Sequence, residues 1–133
     1  MSLTAAAQIA RTTTVATPQT TTDYLRASRD SLLKDRDLAI AYFEVRLEAM
    51  RRDEIRAVVE DWMRDSVRAE VEFAESNGLS GGPETRALFH FAIEGMVFDE
   101  LTVPVAGGGP SDALIGHLVD ALLAAEPKPT QLP

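Results

Sequence analysis

Two residues of types that do chemistry stand four positions apart in an otherwise apolar stretch. His90 and Glu94 would share one face of a helix spanning residues 83–102, because side chains at that spacing lie next to each other. A histidine beside a carboxylate is typical of a hydrogen-bonded structural pair, of half a ligand or metal site, or of an acid/base pair in a cleft. The sequence favours the structural pair.

Arg46 also departs from its surroundings. It lies among apolar neighbours such as Tyr42 and Met50, on the side opposite the acidic residues of the same stretch. A guanidinium in such a place costs free energy unless an acceptor pairs with it. We predict an ion pair with Glu94 or Asp99, and the alternative is an arginine that anchors an anionic or polar ligand.

Bulky aromatic and methionine side chains recur on the apolar faces of three predicted helices, which are described below. Each one alone is typical of core packing. Together with a few polar groups, they are also what an apolar pocket between helices contains, and the sequence does not separate the two. The candidate pocket residues are Tyr42, Phe43, Arg46, Trp62, Met63, Phe73, Phe89, His90, Glu94 and Met96.

Several reaction classes lack their residues in this chain. There is no cysteine, and neither His90 nor His117 belongs to a Glu-x-x-His or His-Glu-x-x-His motif. There is also no Gly-x-Ser-x-Gly, and the glycines at 107–109 are not followed by Lys-Ser or Lys-Thr. We therefore predict no catalytic residue, no metal and no cofactor, and we expect that the protein is not an enzyme.

The elements that must position these residues are helical. A Thr20-x-x-Asp23 capping box predicts a first helix that ends near Lys34. Apolar periodicity and helix stops predict further helices over residues 37–51, 53–77 and 83–102 and from Ser111 onward. Nothing alternates with period two, so the fold class is all-α, a bundle of about five to six helices.

The distribution of apolar residues indicates how the bundle is organised. Residues 37–51 carry apolar side chains on all but a narrow polar stripe, which predicts a mostly buried helix. Residues 78–133 hold only seven acidic and two basic side chains, so something must cover them. We predict a weakly structured or partly helical segment over 1–22, the folded domain over 23–126 and a proline-rich tail over 127–133.

Composition restricts the partners. The 133-residue chain is about one domain long. With 21 acidic against 13 basic side chains, its net charge is −8, which opposes attraction to DNA and to anionic lipid. No apolar run reaches the length of a bilayer span and no signal peptide is visible. The expected location is the cytoplasm, without membrane association.

Two stretches of this sequence are similar to a known family. They are residues 36–56 (RDLAIAYFEVRLEAMRRDEIR), followed by a long amphipathic helix with Trp62, and residues 91–98 (FAIEGMVF), followed by a loop and a final apolar helix. In this order they resemble the C-terminal regulatory half of tetracycline-repressor-like (TetR family) transcriptional regulators. The resemblance covers roughly residues 20–126.

The resemblance implies a domain that senses a small, mostly apolar effector and forms a homodimer. Its last two long helices would pair with their copies as a four-helix interface. The interface residues that this implies are Ile93, Gly95, Val97, Leu101, Leu114, Ile115, Leu118 and Leu122. Residues 1–22 hold one arginine and no aromatic residue, so we expect no helix-turn-helix domain in this chain and DNA contact only through a part that it lacks.

Two alternatives remain open from the sequence. The chain is also compatible with a stand-alone, dimeric helical interaction protein that has no ligand. The other alternative is a small helical enzyme that uses His90 and Glu94 as its acid/base pair.

Overall fold

The described part of the chain is entirely helical apart from its connections. The computed structural model describes residues 18–79, 81–104 and 111–126, and no strand occurs among them. The five helices are α1 (Pro18–Leu33), α2 (Arg36–Ala49), α3 (Asp53–Ser76), α4 (Pro83–Leu101) and α5 (Ser111–Ala125). The all-α prediction is confirmed, and the last three helices begin at the residues that the sequence indicated.

Local chemistry explains where α2 begins and where α3 ends. Asp35 caps α2, because its side chain accepts a hydrogen bond of 3.1 Å from the Leu38 N–H. After α3, Gly78 adopts a positive φ of 63°, which an L side chain rarely does. The next N–H, of Leu79, donates to the carbonyl of Ala74 at 2.9 Å and closes the helix end.

The start of α1 differs from the prediction. The helix begins at Pro18, so the predicted capping box is wrong: Thr20 lies within the first turn rather than ahead of it. Thr20, Thr21 and Thr22 are all buried, and α1 packs against α2, α4 and α5. These contacts outweigh the weak helix propensity of threonine. The rest of the predicted N-terminal segment and the tail lie outside the described residues.

The core lies where α1, α4 and α5 meet. Phe89 and Val97 of α4 are each 1% exposed, and Ile115 and Val119 of α5 are 0% exposed. They pack with the buried face of α1, which includes Tyr24. Dispersion contacts and removal of apolar surface from water therefore stabilise this side of the molecule most.

Polar contacts hold both ends of α5. At its start, the Asp112 carboxylate pairs with Arg29 of α1, and the Asp112 carbonyl accepts a hydrogen bond of 3.0 Å from Arg26. Just beyond its end, the Glu126 carboxylate accepts a hydrogen bond of 2.7 Å from the Gly82 N–H before α4. These contacts set the position of α5 along α1 and α4.

The other side of the molecule consists of α2 and α3, which pack mainly on each other. The prediction that α2 is mostly buried is wrong, because Leu38, Val45 and Leu47 are 53%, 46% and 54% exposed. Only Ala39, Tyr42 and Ala49 of this helix are buried. Helix α2 thus has one buried face, and much of its other apolar surface is exposed in the described structure.

Candidate functional site

A large cavity separates the two sides of the molecule. It has a volume of about 1650 Å³ and is lined by residues of α1, α2, α3 and α4. Common small-molecule sites occupy roughly 300–1,000 Å³, so it has room for a drug-sized molecule. Exposed residues such as Leu38 and Phe91 belong to the lining, and the cavity therefore opens to solvent. The predicted pocket residues in the lining are Tyr42, Phe43, Trp62, Met63, Phe89, His90 and Glu94.

Glu94 is the centre of a polar cluster in the wall of this cavity. Its carboxylate accepts a hydrogen bond from the Tyr42 hydroxyl and pairs with the Arg46 guanidinium at 2.5 Å. The predicted ion pair between Arg46 and Glu94 is thus confirmed. The Glu94 side chain is only 13% exposed, whereas Arg46 is 38% exposed. The pair joins α2 to α4 at the edge of the cavity.

His90 lies between two carboxylates. Its Nδ1 is 3.2 Å from Glu70 of α3, and its Nε2 is 3.5 Å from Glu94, one turn further along α4. The hydrogen bond with Glu70 raises the pKa of His90 above its usual value, and desolvation by burial opposes this increase only in part. His90 therefore holds a proton more readily here than it does in water.

Tyr42 connects the cluster to the aromatic wall. Burial, followed by the hydrogen bond to Glu94, raises the pKa of the Tyr42 hydroxyl well above its usual value, so it acts as a hydrogen-bond donor at physiological pH. Its ring meets Phe43 and Trp62 edge to face, with centroids 5.1 Å and 5.4 Å apart. Trp62, the single tryptophan of the chain, is 37% exposed.

Some predicted pocket residues lie elsewhere. Phe73 stacks on Tyr24 at 5.5 Å and, like Met96, packs against the core rather than lining the cavity. Arg46 reaches the site through Glu94 but is not itself part of the lining. Phe89 belongs both to the core and to the cavity wall.

One residue of the polar cluster was not predicted from the sequence. Glu70 stands in a highly charged stretch of α3, where it resembles its solvated neighbours. It follows Met63 by seven residues, two turns of a helix, and so shares its face. That spacing could have indicated from the sequence that Glu70 lies beside the predicted pocket.

A comparison with protein-family models decides what kind of domain this is. The model described as Tetracyclin repressor-like, C-terminal domain matches residues 16–125. The chain belongs to this family. The comparison with curated proteins found no match, and the comparison with solved structures found none either.

The interface residues expected for a tetracycline repressor-like domain do not share one face. Ile93, Val97 and Ile115 are 4%, 1% and 0% exposed within the single chain, so they are core residues, and their assignment to an interface is wrong. Gly95 and Leu114 are exposed. The other predicted residues are partly buried against the core: Leu101, Leu118 and Leu122.

The reason is geometric. An α4 that is apolar nearly all round has no polar stripe to orient it, so its sequence does not distinguish the core face from the outer one. In the structure the core face follows the four-residue spacing of Phe89, Ile93 and Val97. The outer face of this tetracycline repressor-like domain carries Leu88 and Phe98, which are 51% and 47% exposed.

Within 18–79, 81–104 and 111–126, no group of three or more His, Cys, Asp or Glu side chains is arranged to hold a metal ion. In the same ranges, no helix combines the length and the apolar character that crossing a membrane requires.

Proposed function

We propose that this chain is the effector-sensing and homodimerising domain of a tetracycline repressor-like transcriptional regulator. The cavity of about 1650 Å³ is the observation that carries the proposal. Protein interiors are close-packed and contain few voids larger than a water molecule. Space of this size between four helices is therefore expected to serve a ligand.

The lining supports the same proposal. Its aromatic wall, with Trp62, Tyr42 and Phe43, suits an apolar molecule, and a small number of convergent polar groups would fix its orientation. The ion pair of Glu94 and Arg46 spans α2 and α4, so a ligand at this place would contact both sides of the molecule.

Effector binding would act by shifting a conformational population. The cavity lies between α2 and α3 on one side and the core helices on the other. A ligand that binds one spacing of these two sides more tightly shifts the equilibrium toward it. Because α4 carries both cavity residues and the exposed apolar stripe, the same helix would transmit the shift to a second subunit.

The cavity can be tested with a neutral apolar fluorophore, N-phenyl-1-naphthylamine. We expect it to bind and to quench Trp62, which is the only tryptophan. Ser66 of α3 lines the cavity, and Ser66→Phe places a bulky ring in it. The substitution should weaken binding by about tenfold, which corresponds to a loss of roughly 1–2 kcal/mol of binding free energy. Ala57→Phe is the matched control, because Ala57 is exposed on the same helix and does not belong to the lining.

Two outcomes would contradict this part of the proposal. Unchanged binding in Ser66→Phe would place the probe outside the cavity. Absence of any Trp62 quenching would favour the alternative in which the domain is an interaction protein without a ligand.

The proposed dimer rests on exposed apolar stripes of the last two helices. On α4, Leu88, Phe91, Gly95 and Phe98 are exposed and alternate three and four residues apart, the spacing of helices that pack side by side. A Cβ at Gly95 would meet no atom within 4 Å, which leaves room for a close approach. On α5 the exposed residues at the same spacing are Leu114, His117, Ala121 and Ala124, and Ala113, Asp120 and Ala125 are exposed beside them.

The dimer can be tested by light scattering. We expect the unchanged chain to be a dimer and the double variant Leu88→Lys/Leu114→Lys to be a monomer, because two lysines on the exposed stripes would have to be buried without partners. Leu47→Lys is the control, since Leu47 is 54% exposed but lies on α2. A dimer that survives the double substitution, or one that Leu47→Lys disrupts equally, would contradict the proposed interface.

A further inference from the structure

His90 carries a buried nitrogen that no hydrogen bond satisfies. Its Nδ1 has Glu70 as its partner at 3.2 Å, whereas its Nε2 is buried with no hydrogen-bond partner. The nearest charged atom to Nε2 is an oxygen of Glu94 at 3.5 Å. When the imidazole is neutral and Nδ1 donates to Glu70, Nε2 is an acceptor beside another acceptor.

Such an arrangement lacks one positive charge or donor between the two carboxylates. A proton on His90 supplies it, because the imidazolium donates from both nitrogens. A positive charge on a molecule bound beside His90 would supply it as well, without a hydrogen bond to the buried Nε2. Since both would put positive charge in the same place, proton and ligand charge oppose each other there.

The charge balance indicates which kind of ligand group fits. The cavity is lined by five acidic side chains, Asp30, Asp35, Asp37, Glu70 and Glu94, and by three basic ones, Lys34, Arg36 and Arg86. Arg46, which pairs with Glu94, adds a fourth positive charge, so one negative charge is left when His90 is neutral. The rings of Tyr42 and Trp62 belong to the lining of the same cavity, and aromatic faces attract cations, as Arg46 does over the Tyr42 ring at 5.9 Å from its centroid. A positive group is therefore favoured over a negative one.

The elements packed around α4 supply the groups that set this balance. Of the described residues, none from α5 lines the cavity. The titratable and charged groups around His90 are Glu70 on α3, Tyr42 and Arg46 on α2, Tyr24 on α1, and Arg86 and Glu94 on α4 itself.

We infer that the cavity takes a small apolar molecule with a positive charge, such as an amine or another organic cation, which binds at His90 between Glu70 and Glu94 and displaces the proton of His90. The inference rests on the proposed function, because it names the ligand class of the same cavity. The raised pKa of His90 agrees with it, because surroundings that favour a proton on His90 also favour another positive charge at that place.

Two probes of the same shape and opposite charge test the inference. Tetraphenylphosphonium and tetraphenylborate are titrated into the full chain at constant ionic strength, at pH 5.5 and pH 8.5, with Trp62 fluorescence as the readout. We expect the phosphonium to bind at least about tenfold more weakly at pH 5.5, because a histidine with even its ordinary pKa is then about 90% protonated. The borate should bind more weakly than the phosphonium at pH 8.5.

Two substitutions locate the effect. Glu70→Gln removes a half-buried charge and should weaken phosphonium binding by about tenfold. A tenfold change in the binding constant corresponds to the same interaction free energy as a pKa shift of one unit. His90→Gln should retain phosphonium binding and lose its pH dependence. Glu84→Gln is the control, because Glu84 is exposed on α4 and lies outside the lining. If His90→Gln does not fold, Glu70→Gln still decides.

The outcomes separate the inference from the proposed function. Borate binding at pH 8.5 that equals or exceeds phosphonium binding, or phosphonium binding that is tighter at pH 5.5 than at pH 8.5, overturns the inference and leaves the cavity as a ligand site. The same conclusion follows if N-phenyl-1-naphthylamine binds and the phosphonium does not. If none of the three probes binds, the proposed function fails and the inference fails with it.

Discussion

The two sides of the molecule differ in the size of the side chains that they bury. Where α1, α4 and α5 meet, large side chains such as Phe89 and Ile115 are almost completely removed from water. Across the cavity, α2 and α3 bury mainly small residues, Ala39, Ala49 and Ala74, together with Tyr42. Apolar burial holds the first side, whereas the second side is joined to it through a few polar and aromatic contacts.

This difference separates stability from adaptability. Regions with few buried apolar contacts open and move at a lower free-energy cost than a packed core. The α2–α3 side is therefore the part that we expect to adjust around a ligand, while the side built from α1, α4 and α5 keeps its shape.

The largest effect should come from a cavity made on the packed side. Ile115→Ala removes a side chain that is 0% exposed, and we expect it to lower the free energy of unfolding by about 2–4 kcal/mol. Leu47→Ala on α2, where the side chain is 54% exposed, should change it by less than about 1 kcal/mol. Chemical denaturation measures both. Equal losses would show that the two sides do not differ as described.

A smaller effect is expected at the polar contact between the two sides. Glu94→Gln deprives Arg46 and Tyr42 of their carboxylate and should cost about 1–2 kcal/mol, since Arg46 is 38% exposed and water can partly replace the charge. Glu48→Gln is the control, because Glu48 pairs with Arg51 at 3.8 Å on the exposed surface. The same denaturation measurement applies, and a loss as large in Glu48→Gln would refute the structural role of Glu94.

The smallest effect concerns pH. Because the pKa of His90 is raised by its hydrogen bond with Glu70, protonation favours the folded state. The stabilisation is fully present below the ordinary histidine pKa of about 6.5 and is lost as the pH rises through the folded pKa.

His90→Gln should therefore lower the unfolding free energy more at acidic pH than at alkaline pH. Denaturation curves between pH 5.5 and 8.5 give the difference from the unchanged chain. A difference that grows with rising pH would have the wrong sign and would exclude this role for His90.

Much of this fold follows from local signals in the sequence. Asn77-Gly78 and Pro83 mark the end of α3 and the start of α4, because the left-handed φ and the fixed proline φ are properties of single residues. The sequence predicts that Arg46 pairs with Glu94 or Asp99, because a buried charge needs a partner whatever the fold, and the structure shows Glu94 as that partner.

Other features depend on tertiary packing and could not be read locally. Thr20, Thr21 and Thr22 are helical because the rest of the chain buries them, against their own weak helix propensity. The orientation of α4 was undetermined because three of its faces are apolar, which is why Ile93 and Val97 were assigned to an interface. Glu70 acquires its role only from the approach of α3 to His90.

The pairing of α1 with α5 has a consequence for how the domain acquires its structure during synthesis. Arg29 and Asp112 are separated by 83 positions in the chain, so their contact closes a long loop. Closing such a loop is slow, because the chain loses conformational entropy before the contacts that stabilise it have formed. We expect Tyr24 and Leu25 of nascent α1 to stay incompletely buried until Ile115 and Val119 of α5 have left the ribosome and can pack with them. Folding of this core therefore follows the synthesis of α5 rather than that of α1.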